Sequence, residues 1–475
     1  MKKLLSLLAA GLIAAAAFAQ TQEVHIVAVN DVHANIHAFP QFAAIVDSLR
    51  AEYPGLLVIS AGDNRTGDPL NDMYEIPAYP MVALMNEVGF DATTLGNHEV
   101  DSGPENLSRL IGLSGFSYIC CNVFPDPELK MFLRPTQVFD VNGIKVGFVG
   151  VLEVGPNGLP DSHPDNCRNM KFTPVLETVQ QYASLRDECN VVVLLSHIGY
   201  DADVEISGHL PWVDLIIGGH SHTQIEGGEM HNGILITQDV NKLVRCTHIT
   251  LTLEDGKLVD KKAELIEVST FPKKNKIVQE MVDYFSNNPA FKRVLCEIKT
   301  PMSTSHELGC MMADAFKAGS GADIAFINAG GVRFDSFPAG PFTVNDALSL
   351  DPFGNDCVEL NLSGQELKDM LIACTHADHY GFPDVSGITC TVYLPKGDNM
   401  HPQRVDIFTP DGKKLDLKKM YKVVTNSYAV AVSDSKHQDP GHSINRKSAD
   451  LVMDYMEKQG EIDYAGVVRV TEIYK

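Results

Sequence analysis

The chain has 475 residues, of which 44% are hydrophobic and 21% are charged, as is ordinary for a globular protein. At about 150 residues per domain, this length favours two or three domains and excludes a single small scaffold. The 38 basic and 61 acidic residues give a net charge of −23, which argues against binding of a nucleic-acid polymer, because such proteins replace phosphate counterions with a basic face.

The first 19 residues have the pattern of a secretory signal peptide. Lys2 and Lys3 precede the largely apolar run 4–18, and Ala-Phe-Ala at 17–19 resembles a cleavage site. The run is shorter than the roughly 20 residues that a membrane span needs, and no second long apolar run follows. We therefore expect an exported protein, periplasmic or secreted, without a membrane span.

The next part of the chain, from residue 24 to 265, alternates short β-branched runs with helical stretches, which predicts a layered α/β domain. The predicted buried strands are 24–29, 56–60, 92–95, 146–149, 191–195, 214–217 and 234–237. Helices are predicted at 42–52, 79–88 and 174–188, and a closing strand pair at 249–253 and 262–268.

After residue 270 the pattern changes. A charged segment, 272–276, precedes a predicted helix at 277–285 and is typical of a linker. A second α/β unit then follows, with helices at 307–318, 363–374 and 449–459 and strands at 324–328, 389–394, 404–408 and 421–426. The predicted organisation is a signal peptide (1–19), a first domain (22–270), a linker or hinge helix (271–295) and a second domain (296–475).

Five predicted strands of the first domain lead into clusters of Asp, Asn and His. These clusters lie at 29–33, 60–64, 95–101, 196–199 and 218–223. An isolated His after a strand is usually a surface residue, and an Asp-Asn pair is usually a turn, but five such clusters are hard to explain in that way. Ligand sites in layered α/β folds lie outside the carboxyl ends of the strands, so we expect the clusters to converge.

The side chains in these clusters suit a divalent ion such as Zn²⁺, Mn²⁺ or Co²⁺. Asp31 and His33, like His220 and His222, are two residues apart and so point to the same side of an extended segment. The seven candidate ligands are Asp31, His33, Asp63, Asn97, His197, His220 and His222. Seven are too many for one ion and fit two ions that share a carboxylate, an arrangement used for phosphoryl displacement.

The clusters also resemble the motifs of the calcineurin-like metallophosphoesterases. Their order and spacing are similar to those of the secreted and periplasmic 5′-nucleotidase family. The motifs are Asn30-Asp31-x-His33, Gly62-Asp63, Gly96-Asn97-His98-Glu99-x-x-Asp101, Ser196-His197-x-Gly199, Gly219-His220-Ser221-His222, Asn328-Ala329-Gly330-Gly331-Val332-Arg333 and Pro352-Phe353-Gly354-Asn355. The resemblance covers essentially the whole chain after the signal peptide.

The resemblance implies a four-layer α/β/β/α sandwich followed by a C-terminal α/β nucleotidase domain. It implies one ion held by Asp31, His33, Asp63 and His222, and another held by Asp63, Asn97, His197 and His220. His98 would stabilise the leaving oxygen, and Asp101 would orient the His98 imidazole. Asn97 and Arg333 complete the implied catalytic set, and Asn328, Arg333, Phe353 and Asn355 the implied substrate site.

The implied function is the hydrolysis of nucleoside 5′-monophosphates by a hydroxide that bridges two divalent ions. Alternatives on the same scaffold are a UDP-sugar hydrolase, a 2′,3′-cyclic nucleotide phosphodiesterase and a sulfur-ester hydrolase. A non-catalytic nucleotide-binding protein is the alternative from another class.

Two stretches depart from the family pattern. Segment 299–306 has no Arg to complete a phosphate clamp, and Lys299 is a candidate substitute, although Lys cannot make a planar bidentate contact. Segment 431–438 lacks the second stacking ring, which Tyr428 or His437 would replace.

Overall fold

The computed structural model describes residues 21–378 and 380–475, so the predicted signal peptide lies outside the described residues. The strands of the first half are β1 (Thr21–Val29), β2 (Leu57–Ser60), β3 (Ala92–Thr93), β4 (Ser117–Tyr118), β5 (Val123–Pro125), β6 (Thr136–Val141), β7 (Ile144–Leu152), β8 (Met170–Phe172), β9 (Val191–His197), β10 (Leu215–Ile217), β11 (Glu229–His231), β12 (Ile234–Thr237), β13 (Arg245–Glu254) and β14 (Lys257–Glu267). One six-stranded sheet has the order β14-β13-β1-β2-β3-β4 and the other the order β11-β12-β10-β9-β7-β6.

The two sheets face each other across an apolar core, as β1 illustrates. Val24, Ile26 and Ala28 point into the core that both sheets share, whereas Val27 and Val29 point to the outer face. This alternation follows from the two-residue period of a strand. A strand buried on both faces needs a continuous apolar run, which is the pattern of its sequence.

Helices cover the outer faces of both sheets. They are α1 (Phe39–Glu52), α2 (Pro69–Asp72), α3 (Tyr79–Val88), α4 (Pro104–Leu113), α5 (Val175–Val179), α6 (Leu185–Glu188) and α7 (Tyr200–Ser207). Helices α1, α3 and α4 contribute to the core outside the first sheet, and α5 to α7 to the core outside the second. The predicted four-layer sandwich is confirmed.

The helix predicted at 174–188 is wrong as a single element. The structure divides it into α5, a 3-10 turn at Gln180–Tyr182, and α6. Arg186 lies 2.6 Å from the Asp214 carboxylate and donates to a backbone carbonyl, while Leu185 is buried under the second sheet. Tertiary contacts therefore override the local helical preference of this stretch.

The predicted linker contains helix α8 (Lys276–Phe285). The Asn275 side chain accepts a hydrogen bond from the Val278 backbone and so caps its first turn. Val278 and Val282 are buried in the core of the first domain, so α8 packs on that domain. Phe291, in the turn that follows, packs against the cores of both halves.

The second half contains three sheets. Its strands are β15 (Val294–Ile298), β16 (Ile324–Ile327), β17 (Gly340–Thr343), β18 (Asp356–Ser363), β19 (Asp384–Ser386), β20 (Thr389–Leu394), β21 (Arg404–Phe408), β22 (Met420–Asn426), β23 (His442–Lys447), β24 (Glu461–Ile462) and β25 (Val470–Tyr474). Its helices are α9 (Ser305–Ser320), α10 (Val344–Leu350), α11 (Gly364–Asp378), α12 (Ser427–Val432) and α13 (Ser448–Gln459). The central five-stranded sheet has the order β19-β16-β22-β18-β23.

Helix α9 shows how local sequence sets these boundaries. The Thr304 side chain accepts from the Glu307 backbone, the Glu307 carboxylate accepts from the backbone of Ser303, and Gly321 ends the helix with a φ of +66°. Helices α9, α10 and α13 cover one face of the five-stranded sheet and α11 covers the other, which confirms the predicted α/β second half. Among the described residues, no helix has both the length and the apolar character of a membrane span.

Candidate metal centre and substrate cleft

The seven predicted ligands meet at one edge of the sandwich. Strands β1, β2 and β3 are mutually parallel, as are β9 and β10, so their carboxyl ends lie together. Asp31 and His33 follow β1, Asp63 follows β2, Asn97 follows β3, His197 ends β9, and His220 and His222 follow β10.

Asp31, His33 and His222 form one group of side chains. The Nε2 atom of His222 lies 3.5 Å from Asp31 Oδ1 and 3.0 Å from His33 Nε2. The side chain of Asn30 donates to Asp31 Oδ2 at 2.7 Å, which leaves Oδ1 directed at His222. The three side chains thus face a common point.

Asp63, Asn97, His197 and His220 form the other group. His197 Nε2 lies 3.3 Å from Asp63 Oδ2 and 3.3 Å from Asn97 Oδ1. Asn97 Oδ1 is also 3.0 Å from His220 Nδ1. The Asn97 oxygen and the Asp63 carboxylate therefore face the same imidazole.

The backbone is strained at most of these positions. A positive φ is rare for residues other than glycine, and it persists only where the surrounding structure enforces it. Five of the seven predicted ligands have one: Asp31 (+49°), His33 (+44°), Asp63 (+52°), His220 (+78°) and His222 (+53°). Such clustering of strain is typical of a functional site.

Two glycines permit the close approach of the loops. A Cβ atom on Gly96 would lie 2.1 Å from Asp63 Oδ1, and one on Gly219 would lie 2.9 Å from the Ala61 carbonyl oxygen and 2.9 Å from His197 Nδ1. Any side chain at Gly96 would therefore displace the carboxylate of Asp63.

Backbone carbonyls orient two of the imidazoles. Nδ1 of His33 lies 3.0 Å from the Thr66 carbonyl oxygen, and Nδ1 of His197 lies 2.7 Å from the Ala61 carbonyl oxygen. Because a carbonyl oxygen only accepts, each Nδ1 carries the hydrogen and each Nε2 faces the centre. Metal-binding histidines are usually held in this way, by a hydrogen bond from the ring nitrogen that does not bind the ion.

The electrostatics of the site favour ionised carboxylates and neutral imidazoles at several positions. Burial opposes ionisation of Asp31, but the adjacent imidazoles, His222 first, bring its pKa down to about 2. Burial and the Arg333 charge hold the pKa of His33 well below its usual value, and burial lowers the pKa of His220 to about 3. Neutral imidazoles and ionised carboxylates are the forms that bind a metal ion. His197 is the exception: burial lowers its pKa, but the Asp63 and Asp31 carboxylates outweigh burial and raise that pKa to about 10, so His197 must lose a proton to bind an ion.

The donor set fits divalent ions. Within the described residues, three groups of side chains each bring one donor atom apiece within 4.8 Å of one another. The groups are Asp31, His33 and His222; His33, Asp63 and His98; and Asp31, Asp63 and His197. Asp31, His33 and Asp63 each belong to two groups, so the three groups overlap in one donor-rich centre that suits metal binding.

His98 and Asp101 form the predicted dyad. His98 Nδ1 lies 2.8 Å from Asp101 Oδ2, which also accepts from the Thr66 hydroxyl at 2.7 Å. Burial lowers the pKa of His98, but the Asp101 and Asp63 carboxylates outweigh it and raise that pKa to about 9. His98 is therefore a charged donor at neutral pH.

Glu99 is a site residue whose role sequence reasoning missed. Its buried carboxylate accepts from the backbone of Asp63 at 2.9 Å, Asn64 at 2.8 Å and Gly96 at 2.6 Å. It thereby ties the loop after β2 to the loop after β3. An acid in the middle of the Gly-Asn-His-Glu motif was the available signal.

The second domain reaches the metal centre through Arg333. Its Nη2 atom lies 3.4 Å from His33 Nε2, and its guanidinium lies 5.5 Å from the centre of the Phe353 ring. Lys242 of the first domain donates to the Arg333 carbonyl oxygen at 3.1 Å. The ring of Phe353 in turn stacks near His98, with ring centres 5.8 Å apart.

A cleft between the two halves brings these groups together. The predicted substrate residues Asn328, Arg333, Phe353 and Asn355 all line it, opposite His98, Asp101 and part of the metal site. Tyr380 and Tyr428 line it as well. Tyr380 lies outside every sequence motif, so the sequence offered no signal for it.

Two known families match the two halves of the chain. Residues 24–224 match the calcineurin-like phosphoesterases, and residues 292–436 match the 5′-nucleotidase C-terminal domain. Together the two matches cover most of the chain, which combines a calcineurin-like phosphoesterase domain with a 5′-nucleotidase C-terminal domain. This combination indicates a metal-dependent phosphoester hydrolase.

Individual relatives of this calcineurin-like phosphoesterase are distant. The endonuclease YhcR of Bacillus subtilis is 26% identical over 84% of this chain. The match spans 35% of the length of YhcR. The 5′-nucleotidase of Vibrio cholerae is 26% identical over 88% of this chain and 86% of its own. The crystal structure of a 5′-nucleotidase precursor from Thermus thermophilus has a TM-score of 0.83 at 23% identity, covers 95% of this chain and 99% of its own, and shows the shared fold.

The structure shows where the candidate substitutes in the two stretches that depart from the family pattern lie. Lys299 is 61% exposed and pairs with Glu461 at 3.7 Å, so it does not serve the cleft of this phosphoesterase. His437 contacts the Asp439 carbonyl oxygen and does not line the cleft either. Tyr428 lines the cleft. Lys242 contacts Arg333, since it donates to the Arg333 carbonyl oxygen.

Proposed function

We propose that the protein is an exported 5′-nucleotidase that uses two divalent ions, Zn²⁺, Mn²⁺ or Co²⁺. Asp31, His33, Asp63 and His222 would hold one ion, and Asp63, Asn97, His197 and His220 the other. Two bound ions would neutralise charge on the phosphate and supply a nucleophile at neutral pH. The observation that carries the proposal is the cleft in which the Arg333 guanidinium and the Phe353 ring stand opposite this donor set.

Arg333, His98 and Asp101 would supply the remaining catalytic roles. The guanidinium of Arg333, whose Nη2 lies 3.4 Å from His33 Nε2, would bind the phosphate oxygens. Asp101 holds Nδ1 of His98, so its Nε2 is the atom that donates to the leaving oxygen. The positive charges of Arg333 and His98 both stabilise the negative charge that develops as the ester bond breaks.

The nucleoside would lie on the second domain. Phe353 offers a ring for stacking on the base. The Asn355 Oδ1 atom already accepts from the Ser427 hydroxyl at 3.0 Å, so the group that Asn355 offers to a base is its Nδ2 donor. We therefore expect Asn355 to face an acceptor atom on the base edge.

The proposal is tested by metal analysis followed by a substrate screen. The protein without residues 1–19 would be analysed for bound metals and assayed with AMP, UDP-glucose, 2′,3′-cyclic AMP and p-nitrophenyl phosphate under added Mn²⁺, Zn²⁺ or Co²⁺. We expect the highest kcat/KM for AMP. Hydrolysis of p-nitrophenyl phosphate alone would reduce the proposal to a generic phosphoesterase, and nucleotide binding without turnover would refute it.

Export is tested separately. The proposed export rests on the pattern of residues 1–19. Expression of the full chain in a bacterial host should yield a periplasmic protein that begins near Gln20 when its N-terminus is sequenced. An uncleaved protein in the cytoplasm would contradict export.

A further inference from the structure

Asp161 connects three separate parts of the molecule. It lies in the loop between β7 and a 3-10 turn at Pro164–Cys167. Its backbone N–H donates to Glu153 at 2.6 Å, and its carbonyl oxygen accepts from Asn97 Nδ2 at 3.0 Å. Its carboxylate accepts from the hydroxyl of Tyr428 in the second domain. One residue thus contacts the Glu153 side chain, the predicted metal ligand Asn97 and the opposite domain.

The sequence neighbours of Asp161 and Tyr428 make further hydrogen bonds to predicted site residues. Ser162 donates to Asp101, the carboxylate of the dyad, at 3.4 Å. Ser427 donates to Asn355, the predicted base-binding residue, at 3.0 Å. The bond between Asp161 and Tyr428 therefore joins a pair of residues at the catalytic groups to a pair at the nucleoside site.

The contact with Asp161 decides which atom of Asn97 faces the metal centre. An amide offers an oxygen that can bind a cation and an NH₂ group that cannot. With Nδ2 held by the Asp161 carbonyl, Asn97 Oδ1 is directed towards His197 and His220. If Asp161 moved, the amide would lose the contact that sets its orientation.

We propose that Asp161 and Tyr428 are positioning residues that couple contact between the domains to the geometry of Asn97 and of the His98–Asp101 dyad. The loop at 153–163 has no regular secondary structure, so its position depends on such side-chain contacts. The role of Asn97 as a ligand rests on the proposed function. The contacts of Asp161 do not.

The coupling is tested by Tyr428→Phe, Asp161→Ala and the double variant. Tyr428→Phe removes only the hydroxyl, and Asp161→Ala removes the carboxylate but keeps the backbone contacts. Titration calorimetry would measure Mn²⁺ binding without substrate. We expect each single variant to weaken one Mn²⁺ site by about 10- to 100-fold, the range for residues that hold a metal ligand in place. The double variant should lose no more than the larger single loss, because both changes break the same bond.

Two matched variants serve as controls. Asp161→Asn keeps an acceptor oxygen and should restore Mn²⁺ affinity close to that of the wild type. Tyr474→Phe removes an exposed tyrosine hydroxyl that donates to Glu472 at 2.7 Å, and it should change nothing. Additive losses in the double variant, or unchanged Mn²⁺ affinity in both single variants, would overturn the coupling. A lower Tm with unchanged Mn²⁺ affinity would assign a structural role and overturn it as well.

Kinetics separate this inference from the proposed function. For AMP, Tyr428→Phe should lower kcat more than it raises KM, because it acts through Asn97 and Asp101. A raised KM with an unchanged kcat would make Tyr428 a direct substrate contact and overturn the positioning role. If the wild type hydrolyses no nucleotide, the proposed function fails, and the Mn²⁺ titrations still decide the coupling.

Discussion

Asp63 is held on several sides by different groups. Its backbone N–H donates to Glu99, its Oδ1 accepts from the His98 backbone at 2.9 Å, and its Oδ2 lies 3.3 Å from His197. It belongs to two of the three donor groups found in the described part of the chain. Different neighbours thus fix the two oxygens of this carboxylate.

The first prediction concerns the loss of this carboxylate. Asp63→Ala should deplete both metal ions, because Asp63 is the residue assigned to both. His222→Ala should deplete chiefly one. Elemental analysis of the purified variants measures the metal content, and retention of two ions per chain by Asp63→Ala would show that the assignment is wrong.

The second prediction concerns His98. His98→Ala should lower kcat by about 10²–10⁴-fold, the usual contribution of an acid–base group, and leave the metal content intact. Asp101→Asn should cause a smaller loss, since the imidazole remains. Metal loss in His98→Ala would instead make His98 a ligand, as its membership of one donor group permits.

The third prediction concerns the pH profile of the same dyad. Because the donor must be protonated, activity should fall as pH rises through the pKa of His98. The Asp101 charge raises that pKa, so Asp101→Asn should move the alkaline fall to lower pH. The kcat of both proteins measured against pH provides the test, and an unmoved alkaline limb would contradict the dyad.

At the scale of elements, the turn at 352–355 is the clearest case of a backbone built to present one side chain. Gly354 has a φ of +65°, and the turn places Phe353 between Arg333 and the His98 ring. Asp351, directly before the turn, is buried. Phe353 is thus held in the cleft and not in a domain core.

The fourth prediction follows from this placement. Phe353→Ala should raise KM for AMP by about 10- to 100-fold, since stacking on a base contributes about 1–3 kcal/mol. It should affect p-nitrophenyl phosphate little, because that ester has no nucleobase. Steady-state kinetics on both substrates decide the matter. Equal losses would mean that Phe353 acts by holding Arg333 and His98.

At the scale of the whole molecule, the cysteines stand out. All ten lie in the described residues and all are buried, and none of these described cysteines forms a disulfide bond. Burial raises the pKa of the Cys120 thiol to about 12. Export would permit disulfides, yet the fold relies on its apolar cores instead.

The fifth prediction is a thiol count. Protein purified without reductant should react with ten equivalents of Ellman's reagent after denaturation and with almost none in the native state. The expectation follows because a thiolate must form and be reached before it reacts. Fewer than ten equivalents after denaturation would reveal a disulfide.

Local sequence determines the positions of many strands and helices and the set of candidate metal ligands. The short β-branched runs predict the strands. The polar clusters directly after them predict the ligand set, because ligand sites in layered α/β folds lie at the carboxyl ends of the strands. Asp31, Asp63 and His197 therefore came together as expected. The helix predicted at 307–318 likewise begins within two residues of the observed start of α9.

Contacts between distant segments were decided only by the tertiary structure. The role of Glu99, the approach of Lys242 to Arg333, and the bond between Asp161 and Tyr428 depend on how loops and domains are placed. Lys299 had the right charge for the cleft but lies exposed elsewhere. A periodic pattern records which face of an element is buried, whereas a single hydrogen bond across hundreds of residues leaves no periodic trace in the chain.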